Sequence, residues 1–326
     1  MSIQRISLST VIALVFGVAV MQLVSSSNFL SLLTQAIIYA VFAIGVGLLL
    51  RQNGMVSFGH ALFFGVGGYA VGVLLQLKVM PAEAAIFATM AGVALMAFVM
   101  GLVIVRVPGV AFGMLTLAIG QMFYLTATRS RGLTGGADGM SIEWPATLFG
   151  LAQSQLVKPA TMFLICWVTM VAVLLLLTLL LSTRFGSITE AVRDNEERAR
   201  FIGIRTLLPR AAIYALSATV TCIAGLLSAL NTGFVSPENL HWSLSGVALM
   251  MVVVGGHKVL WGPALGAVVY FLAKDVLGNY ANHWMAIFGT ALITVIVFLP
   301  SGIAGALAKL VQGQTAPGSL SKTLGQ

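Results

Sequence analysis

Long runs of apolar residues, separated by short polar breaks, follow one another along almost the whole chain. Most runs are long enough to cross a hydrocarbon core of about 30 Å as an α-helix. The predicted spans are residues 8–25, 30–50, 57–77, 83–105, 110–128, 161–182, 210–230, 244–256, 259–277 and 286–303. This pattern predicts an all-α polytopic membrane protein with about ten transmembrane helices.

The third and eighth runs are short or interrupted by glycines, which predicts re-entrant or kinked segments rather than straight crossings. SFGHALFFGVGG begins at Ser57 and SGVALMMVVVGG begins at Ser245, and both extend twelve residues from a serine to a glycine pair. An offset of five spans would orient the two segments in opposite directions, as in an inverted repeat. Small residues also allow close helix packing in membranes, so the pair indicates a 5+5 repeat without requiring one.

Composition and charge agree with a membrane protein and add an orientation. The chain is 59% hydrophobic and only 8% charged, whereas charged residues make up about a quarter of soluble domains. With the N-terminus inside, the inner segments hold twelve of the 17 Lys and Arg residues and the outer segments hold five. Such an excess marks the cytoplasmic side, so both termini are predicted to be cytoplasmic. The positive charge reports orientation and not nucleic-acid binding.

The predicted organisation is a transmembrane domain at 1–304 and a C-terminal tail at 305–326, which is expected to be cytoplasmic and disordered. The first apolar run could be a signal peptide, but no clear cleavage site follows it, which favours a retained helix. Cys166 and Cys222 lie inside apolar runs and predict small buried side chains, with no metal-ligand spacing.

One stretch concentrates the charge: ten of the chain's 26 Lys, Arg, Asp and Glu residues lie between 184 and 210. Apolar residues recur there at helical spacing: Ile188, Ala191, Val192, Ala199 and Ile202. Charged residues three or four apart could pair on the other side: Glu190/Arg193, Asp194/Arg198 and Glu196/Arg200. Gly186 precedes and Gly203 follows a predicted amphipathic helix at 187–203 in a cytoplasmic loop at 183–209. The helix could be a solvated surface element or could dock on a cytosolic partner.

The segment FGSITEAVRDNEERARFIGI at 185–204 resembles the cytoplasmic loop of ABC importer permeases of the branched-chain amino acid type, where a run close to A-[IV]-R-D-N-E is followed by Ala and Gly-Ile. Three other stretches agree in the same order: GLLLRQNGMVSFGHALFFGVGGYAVGVLL at 47–75, GLTGGADGM at 132–140 and VVVGGHKVLWGPALGA at 252–267. The resemblance is to the LivM-type subunit, and urea and short-chain amide permeases share the motifs.

The resemblance implies a multi-pass subunit of the bacterial inner membrane that forms a heterodimer with a homologous second permease. It also implies two cytosolic ABC ATPase subunits, a periplasmic substrate-binding protein, and branched-chain or similar amino acids as cargo, with urea or an amide as the alternative. In that family this loop couples the permease to the ATPase subunits. The resemblance implies the same role for Gly186, Glu190, Ala191, Arg193, Asp194, Asn195, Glu196 and Gly203. The chain departs from the family pattern near Ser187 and Thr189, which affects the details of docking.

Motifs for other functions are missing from the sequence. No G-x-x-x-x-G-K-[ST] loop is present, so the chain is expected to bind no nucleotide itself, and ATP is expected to act through partner subunits. A membrane enzyme would need paired carboxylates, an H-E-x-x-H run or a Ser/His pair at depth. A stand-alone secondary carrier would need an intramembrane charge. The sequence favours neither of these two alternatives.

Polar and glycine residues at or near membrane depth are the candidates for a substrate path. They are Ser57, Gly59, His60, Gln121, Thr134, Gly135, Gly136 and Asp138. His60 could line the path, or a neighbouring group could satisfy its hydrogen bonds. The glycine-rich loop at 132–140 could lie at the periplasmic mouth or could be a structural turn.

Overall fold

The computed structural model describes residues 3–24, 26–78, 80–280, 284–299 and 301–313. The helices are α1 (Ile3–Leu23), α2 (Ser27–Asn53), α3 (Ala61–Leu77), α4 (Ala82–Ile104), α5 (Gly109–Arg129), α6 (Arg131–Thr134), α7 (Gln153–Leu156), α8 (Pro159–Leu181), α9 (Arg184–Asp194), α10 (Glu196–Phe201), α11 (Leu207–Thr232), α12 (Trp242–Gly255), α13 (Gly262–Tyr280), α14 (Trp284–Phe298) and α15 (Gly302–Gly313). Short strands pair as two antiparallel ribbons, β1 (Met140–Ser141) with β4 (Phe234–Val235) and β2 (Thr147–Leu148) with β3 (Leu151–Ala152).

Five of the described helices are long and apolar enough to cross a membrane: α2, α4, α5, α8 and α11. The predicted all-α polytopic class is therefore confirmed, while the number of ten spans stays a prediction. The helices α3 and α12, at the predicted third and eighth spans, have 17 and 14 residues. Both are shorter than the ~20 residues that a straight crossing needs, as the glycine-rich pattern indicated.

Helices α2 and α11 pack antiparallel at the centre of the bundle, where most of their residues are buried. At one end, Asn53 Nδ2 donates to the carbonyl oxygen of Arg210 at 3.0 Å. Two turns further in, Ser217 Oγ donates to the carbonyl oxygen of Gly45 at 2.6 Å. The other helices pack round this pair, and α3, α4 and α8 each contact it.

The short helices α3 and α12 begin close to each other inside the bundle. Ser245 Oγ, in the first turn of α12, accepts from the backbone N–H of Ala61, the first residue of α3, at 2.8 Å. Ser57 and Ser245, which open the two similar sequence segments, are both buried at this junction. Their proximity is consistent with an inverted repeat, which stays a prediction.

The C-terminal region differs in part from its prediction. Helix α15 continues to Gly313, so residues 305–313 are helical rather than disordered because their apolar residues keep a helical spacing beyond the last predicted span. Residues 314–326 of the predicted tail lie outside the described residues. Cys166 and Cys222 are free and fully buried, as their apolar surroundings predicted.

Candidate functional site

The charged loop is not one amphipathic helix at 187–203, as predicted, but two helices, α9 and α10, which meet at Asn195. Asn195 is extended, with φ −158°, and its Oδ1 accepts from the backbone N–H of Arg198 at 2.8 Å. Asparagine is among the strongest N-caps, because its side-chain oxygen satisfies a free amide of the first turn. The cap therefore ends α9 and starts α10 in a new direction.

Gly186 lies inside the first turn of α9 and does not precede the helix, which corrects the prediction. This turn folds back against the end of α8, so a Cβ at Gly186 would stand 2.0 Å from the carbonyl oxygen of Leu181. Only glycine allows this approach without a backbone shift. The α8–α9 corner thus fixes where the loop leaves the bundle.

A buried polar contact attaches α9 to the end of α2. Thr189 Oγ1 lies 2.9 Å from the Gln52 side chain and 2.8 Å from the carbonyl oxygen of Gly186. Thr189 and Gln52 are almost fully buried. The one hydroxyl proton of Thr189 cannot be donated twice, so we orient the Gln52 amide with its nitrogen donating to Thr189, which donates to Gly186. Thr189 is thus an anchor that the family pattern did not suggest.

Arg193 makes the second attachment. Its Nη1 donates to the carbonyl oxygen of Arg51 at 2.6 Å, while Nε and Nη2 donate to Asp194 Oδ1 at 2.9 and 2.7 Å. A positive charge at the last carbonyls of α2 is favourable because the helix dipole is negative there. The predicted pairs of Arg193 with Glu190 and of Asp194 with Arg198 are replaced by this arrangement.

Glu196 makes the third attachment and joins α10 to α11. Its carboxylate accepts from Arg200 at 2.6 Å, as the i,i+4 spacing predicted, and from Thr206 at 2.9 Å and Arg210. Burial alone would raise the pKa of Glu196, but the Thr206 hydrogen bond and the charges of Arg210 and Arg200 outweigh it and hold the pKa below 4.5. Arg210 also supplies the carbonyl that Asn53 binds. We call Arg51, Gln52, Asn53, Thr189, Arg193, Glu196 and Arg210 together the loop anchor.

Gly203 ends α10, as predicted. The φ angle of Gly203 is +86°. Its N–H donates to the carbonyl oxygen of Arg200 at 2.9 Å, and the N–H of Ile204 donates to the carbonyl oxygen of Ala199 at 3.0 Å. These two bonds form a Schellman motif, in which the left-handed residue is usually glycine. The chain therefore turns at Gly203 from α10 toward α11.

The apolar residues of the loop divide between two faces. Val192 and Ala199 are buried within this chain, and Ile188 is partly buried, but Ala191 is exposed and Ile202 is 71% exposed. Phe201 is 90% exposed. The prediction of one continuous apolar face is therefore wrong for Ala191 and Ile202. Ala191 is adjacent to the buried Val192 and lies on the other face of α9, while the break at Asn195 gives α10, which Ile202 follows, a new direction. Glu190 and Glu197 are exposed as well, and we call the exposed residues Glu190, Ala191, Glu197, Phe201 and Ile202 together the outer face of the loop.

His60 and Ser57 lie together in the buried centre. His60 Nδ1 is 2.8 Å from Ser57 Oγ, and Nε2 is 2.7 Å from Ser217 Oγ. Ser217 donates its one hydroxyl proton to the carbonyl oxygen of Gly45, so the His60 Nε2–H must donate to Ser217 Oγ. His60 Nδ1 then accepts from the Ser57 hydroxyl, and Ser57 Oγ accepts from the Gly59 N–H. A neutral histidine thus satisfies every polar atom in the chain of bonds, which supports the packing alternative for His60.

The remaining path candidates lie elsewhere. Gln121 is half-buried on α5, and its buried Oε1 has no hydrogen-bond partner among the described residues. Thr134 Oγ1 is 2.6 Å from the carbonyl oxygen of Ala127, and Gly135 and Gly136 have φ of +74° and +68°. Asp138 is exposed. The structure therefore shows a tight glycine turn at 134–138 and brings it to neither His60 nor the loop anchor.

Sequence reasoning missed most of the loop anchor. The run Arg51-Gln52-Asn53-Gly54 is a visible polar break after a long apolar span, but its partners lie more than a hundred residues away in the chain. The partner of Asn53, for example, is the Arg210 carbonyl. Thr206 and Arg210 gave no signal beyond their place in the charged stretch.

Comparison with known proteins gives the family. A sequence model described as "Branched-chain amino acid transport system / permease component" matches residues 28–299. The high-affinity branched-chain amino acid transport system permease protein LivM of Escherichia coli is 24% identical over 295 residues, which cover 83% of this chain and 68% of that protein. The autoinducer 2 import system permease protein LsrC of Yersinia pestis is 28% identical over 289 residues, which cover 84% of this chain and 77% of that protein. No solved structure matches. Because the family match extends over most of its length, the chain belongs to the branched-chain amino acid transport system permease family, whose members are integral inner-membrane transport proteins.

Proposed function

We propose that this chain is the transmembrane subunit of an ATP-driven importer of branched-chain or similar apolar amino acids. Two cytosolic ATPase subunits supply the energy. The chain forms a heterodimer with a homologous permease, and this heterodimer receives its cargo from a periplasmic binding protein. Both termini lie in the cytoplasm, in keeping with the excess of positive charge on the side of the loop. The observation that carries the proposal is the loop itself, with one face anchored to α2 and α11 and the other exposed.

The two faces give the loop a mechanical role. An exposed phenylalanine flanked by charged side chains is an ordinary anchor for docking in a groove of a partner protein. Movement of the docked loop passes through Glu196 and Arg210 to α11, and through Arg193 and Thr189 to α2. These are the two central helices, so the ATPase subunits can shift the core of the bundle without contacting it.

Urea or a short-chain amide remains the second candidate cargo, because permeases for these compounds share the sequence motifs. The named cargo also differs between the relatives, which are described for branched-chain amino acids and for autoinducer 2. The choice therefore depends on a binding site in the chain or on its binding protein, and not on the family alone.

Replacing Phe201 with Ser tests the docking face. Phe201 is 90% exposed, so its loss leaves the fold intact, whereas an interface anchor is worth about 2 kcal/mol or more. We expect about thirtyfold weaker binding of the ATPase subunits in co-purification and a fall in substrate-stimulated ATP hydrolysis. The matched control is Phe149→Ser, another exposed phenylalanine beside the start of α4, which should change neither. Equal behaviour of the two variants would refute the docking role.

Replacing Gly203 with Val tests the shape of the loop. A β-branched residue at φ +86° costs about 1–2 kcal/mol or more, which should open the Schellman motif and redirect α10. We expect assembly of the complex to be normal and both uptake and stimulated ATP hydrolysis to fall several-fold. Gly132→Val is the control, since a Cβ at Gly132 meets no atom within 4 Å. Normal uptake by the Gly203 variant would contradict the prediction.

A further inference from the structure

A cavity of about 240 Å³ lies at the end of the bundle opposite to the loop anchor. It opens between the third and fourth turns of α2, the last turns of α11, the segment that follows α11 and the second half of α13. Gln35, at its rim, precedes Asn53 of the loop anchor by 18 residues of α2, which corresponds to about 27 Å along a helix. Under the proposed orientation, the cavity faces the side from which the binding protein delivers its cargo.

The cavity has an apolar floor and a polar rim. Ile38 and Phe271 are buried, and the ring centroids of Tyr39 and Phe271 are 5.0 Å apart at the base. Gln35 and Lys274 are exposed at the edge, and Asn231 and Asn239 are half-buried. The cavity is open to solvent, and it combines an apolar floor with several convergent polar groups, as metabolite sites commonly do. Its volume is slightly below the roughly 300–1,000 Å³ of pockets for drug-sized ligands, which suits a compound of amino-acid size.

The polar groups of the rim are free to bind a ligand. Within the part of the chain that the structure describes, the side chains of Gln35, Asn231 and Asn239 form no hydrogen bond, and Lys274 forms no ion pair. The Lys274 ammonium lies 5.9 Å from the centroid of the Phe271 ring, directly above the floor. Among the described residues that line the cavity, Lys274 is the charged one and none carries a carboxylate. The cavity therefore favours a ligand with an anionic group.

We propose that this cavity is a reception site for a small carboxylate with an apolar body, of the class of leucine, isoleucine and valine. The ligand carboxylate pairs with Lys274, and its side chain lies on Tyr39 and Phe271. The side-chain oxygens of Asn231, Asn239 and Gln35 accept hydrogen bonds from the ligand ammonium. This proposal rests on the proposed import function and deepens it, because neutral urea and amides gain nothing from Lys274.

Equilibrium binding to the complete complex, in lipid nanodiscs without the binding protein, tests the site. We expect labelled leucine to bind and to be displaced by 4-methylpentanoate, which keeps the carboxylate, but at least about tenfold less well by leucinamide or urea. Lys274→Gln should weaken leucine binding by about tenfold or more, and Lys274→Arg by no more than about threefold. Lys158→Gln, at an exposed lysine outside the cavity, is the control. Unchanged binding in Lys274→Gln, or urea binding as well as leucine, would overturn the proposal.

A second measurement keeps the proposal testable if Lys274→Gln does not assemble. Thr232→Cys places a thiol at the rim and keeps Lys274, while the native Cys166 and Cys222 are buried. Leucine should slow maleimide labelling of this variant and urea should not; equal labelling rates would also overturn the proposal. ATP hydrolysis stimulated by the loaded binding protein separates the two proposals. Normal stimulation with no cavity binding refutes the site alone, and cavity binding with no stimulation refutes the import mechanism alone.

Discussion

Replacing His60 with Ala should destabilise the transmembrane bundle by about 2–5 kcal/mol. The change leaves Ser57 and Ser217 without their shared partner in a site where both are almost fully buried. It also removes ring contacts with Phe63 and Tyr214, whose centroids each lie 5.7 Å from that of His60. The expected result is a lower melting temperature of the detergent-solubilised complex, followed through labelling of the buried cysteines as they become exposed.

The matched control for this experiment is His241→Ala. His241 is half-buried at the start of α12, where Nδ1 lies 2.7 Å from Ser243 Oγ and accepts from the Ser243 N–H. Losing an N-cap costs about 0.5–2 kcal/mol, so this variant should melt closer to the wild type. If both variants melt alike, His60 is not the central packing residue that its hydrogen bonds indicate.

Replacing Glu196 with Ala should uncouple ATP hydrolysis from transport and leave the bundle folded. The carboxylate accepts from Arg200, Thr206 and Arg210, so its loss frees α10 from the start of α11. Its side chain is 30% exposed, so solvent screens part of the energy. We expect substrate-stimulated ATP hydrolysis to fall about tenfold, while basal hydrolysis changes less than about twofold.

The neighbouring residue and pH supply the controls for Glu196. Glu197→Ala should keep α10 attached to α11 and lower stimulated hydrolysis less than Glu196→Ala does, because Glu197 is exposed and forms no ion pair among the described residues. The lowered pKa of Glu196 means that its attachment is complete above pH 4.5 and is lost only as the pH falls through the lower, folded-state value. Coupling should therefore not depend on this group between pH 6 and 8. Full stimulation in Glu196→Ala would show that the loop moves α11 by another route.

The fold class could be predicted from the sequence, because lipid requires long apolar helices and leaves few alternatives. The short helices α3 and α12 were also predicted, since glycine pairs and run length are local properties. The division of the loop into two helices was not predicted. Asn195 falls within a helical pattern of apolar residues, and its position before Glu196 and Glu197 indicates an N-cap only once the break is known. The adjacent residues Ala191 and Val192 lie on opposite faces of α9, and the orientation of this helix in the fold determines which of the two is buried.

The loop anchor illustrates a different limit. Every member is an ordinary polar residue, and all but Thr189 lie at a helix end; their role depends on contacts such as Asn53 with Arg210, 157 residues apart. Nothing in one sequence pairs such residues. The family resemblance pointed to this segment for coupling, which stays a prediction. The structure separates residues that hold the loop, such as Arg193 and Glu196, from those that are exposed, such as Glu190 and Ala191.

The most direct test of the account is cross-linking from the outer face of the loop in native membranes. Glu197→Cys provides an exposed thiol in α10, and the native cysteines are buried. We predict that it reacts with membrane-impermeant reagents only from the cytoplasmic side, and that it cross-links to an ATPase subunit with a yield that changes with the bound nucleotide. Reaction from the periplasmic side, or no cross-link in a complex that hydrolyses ATP, would contradict the account.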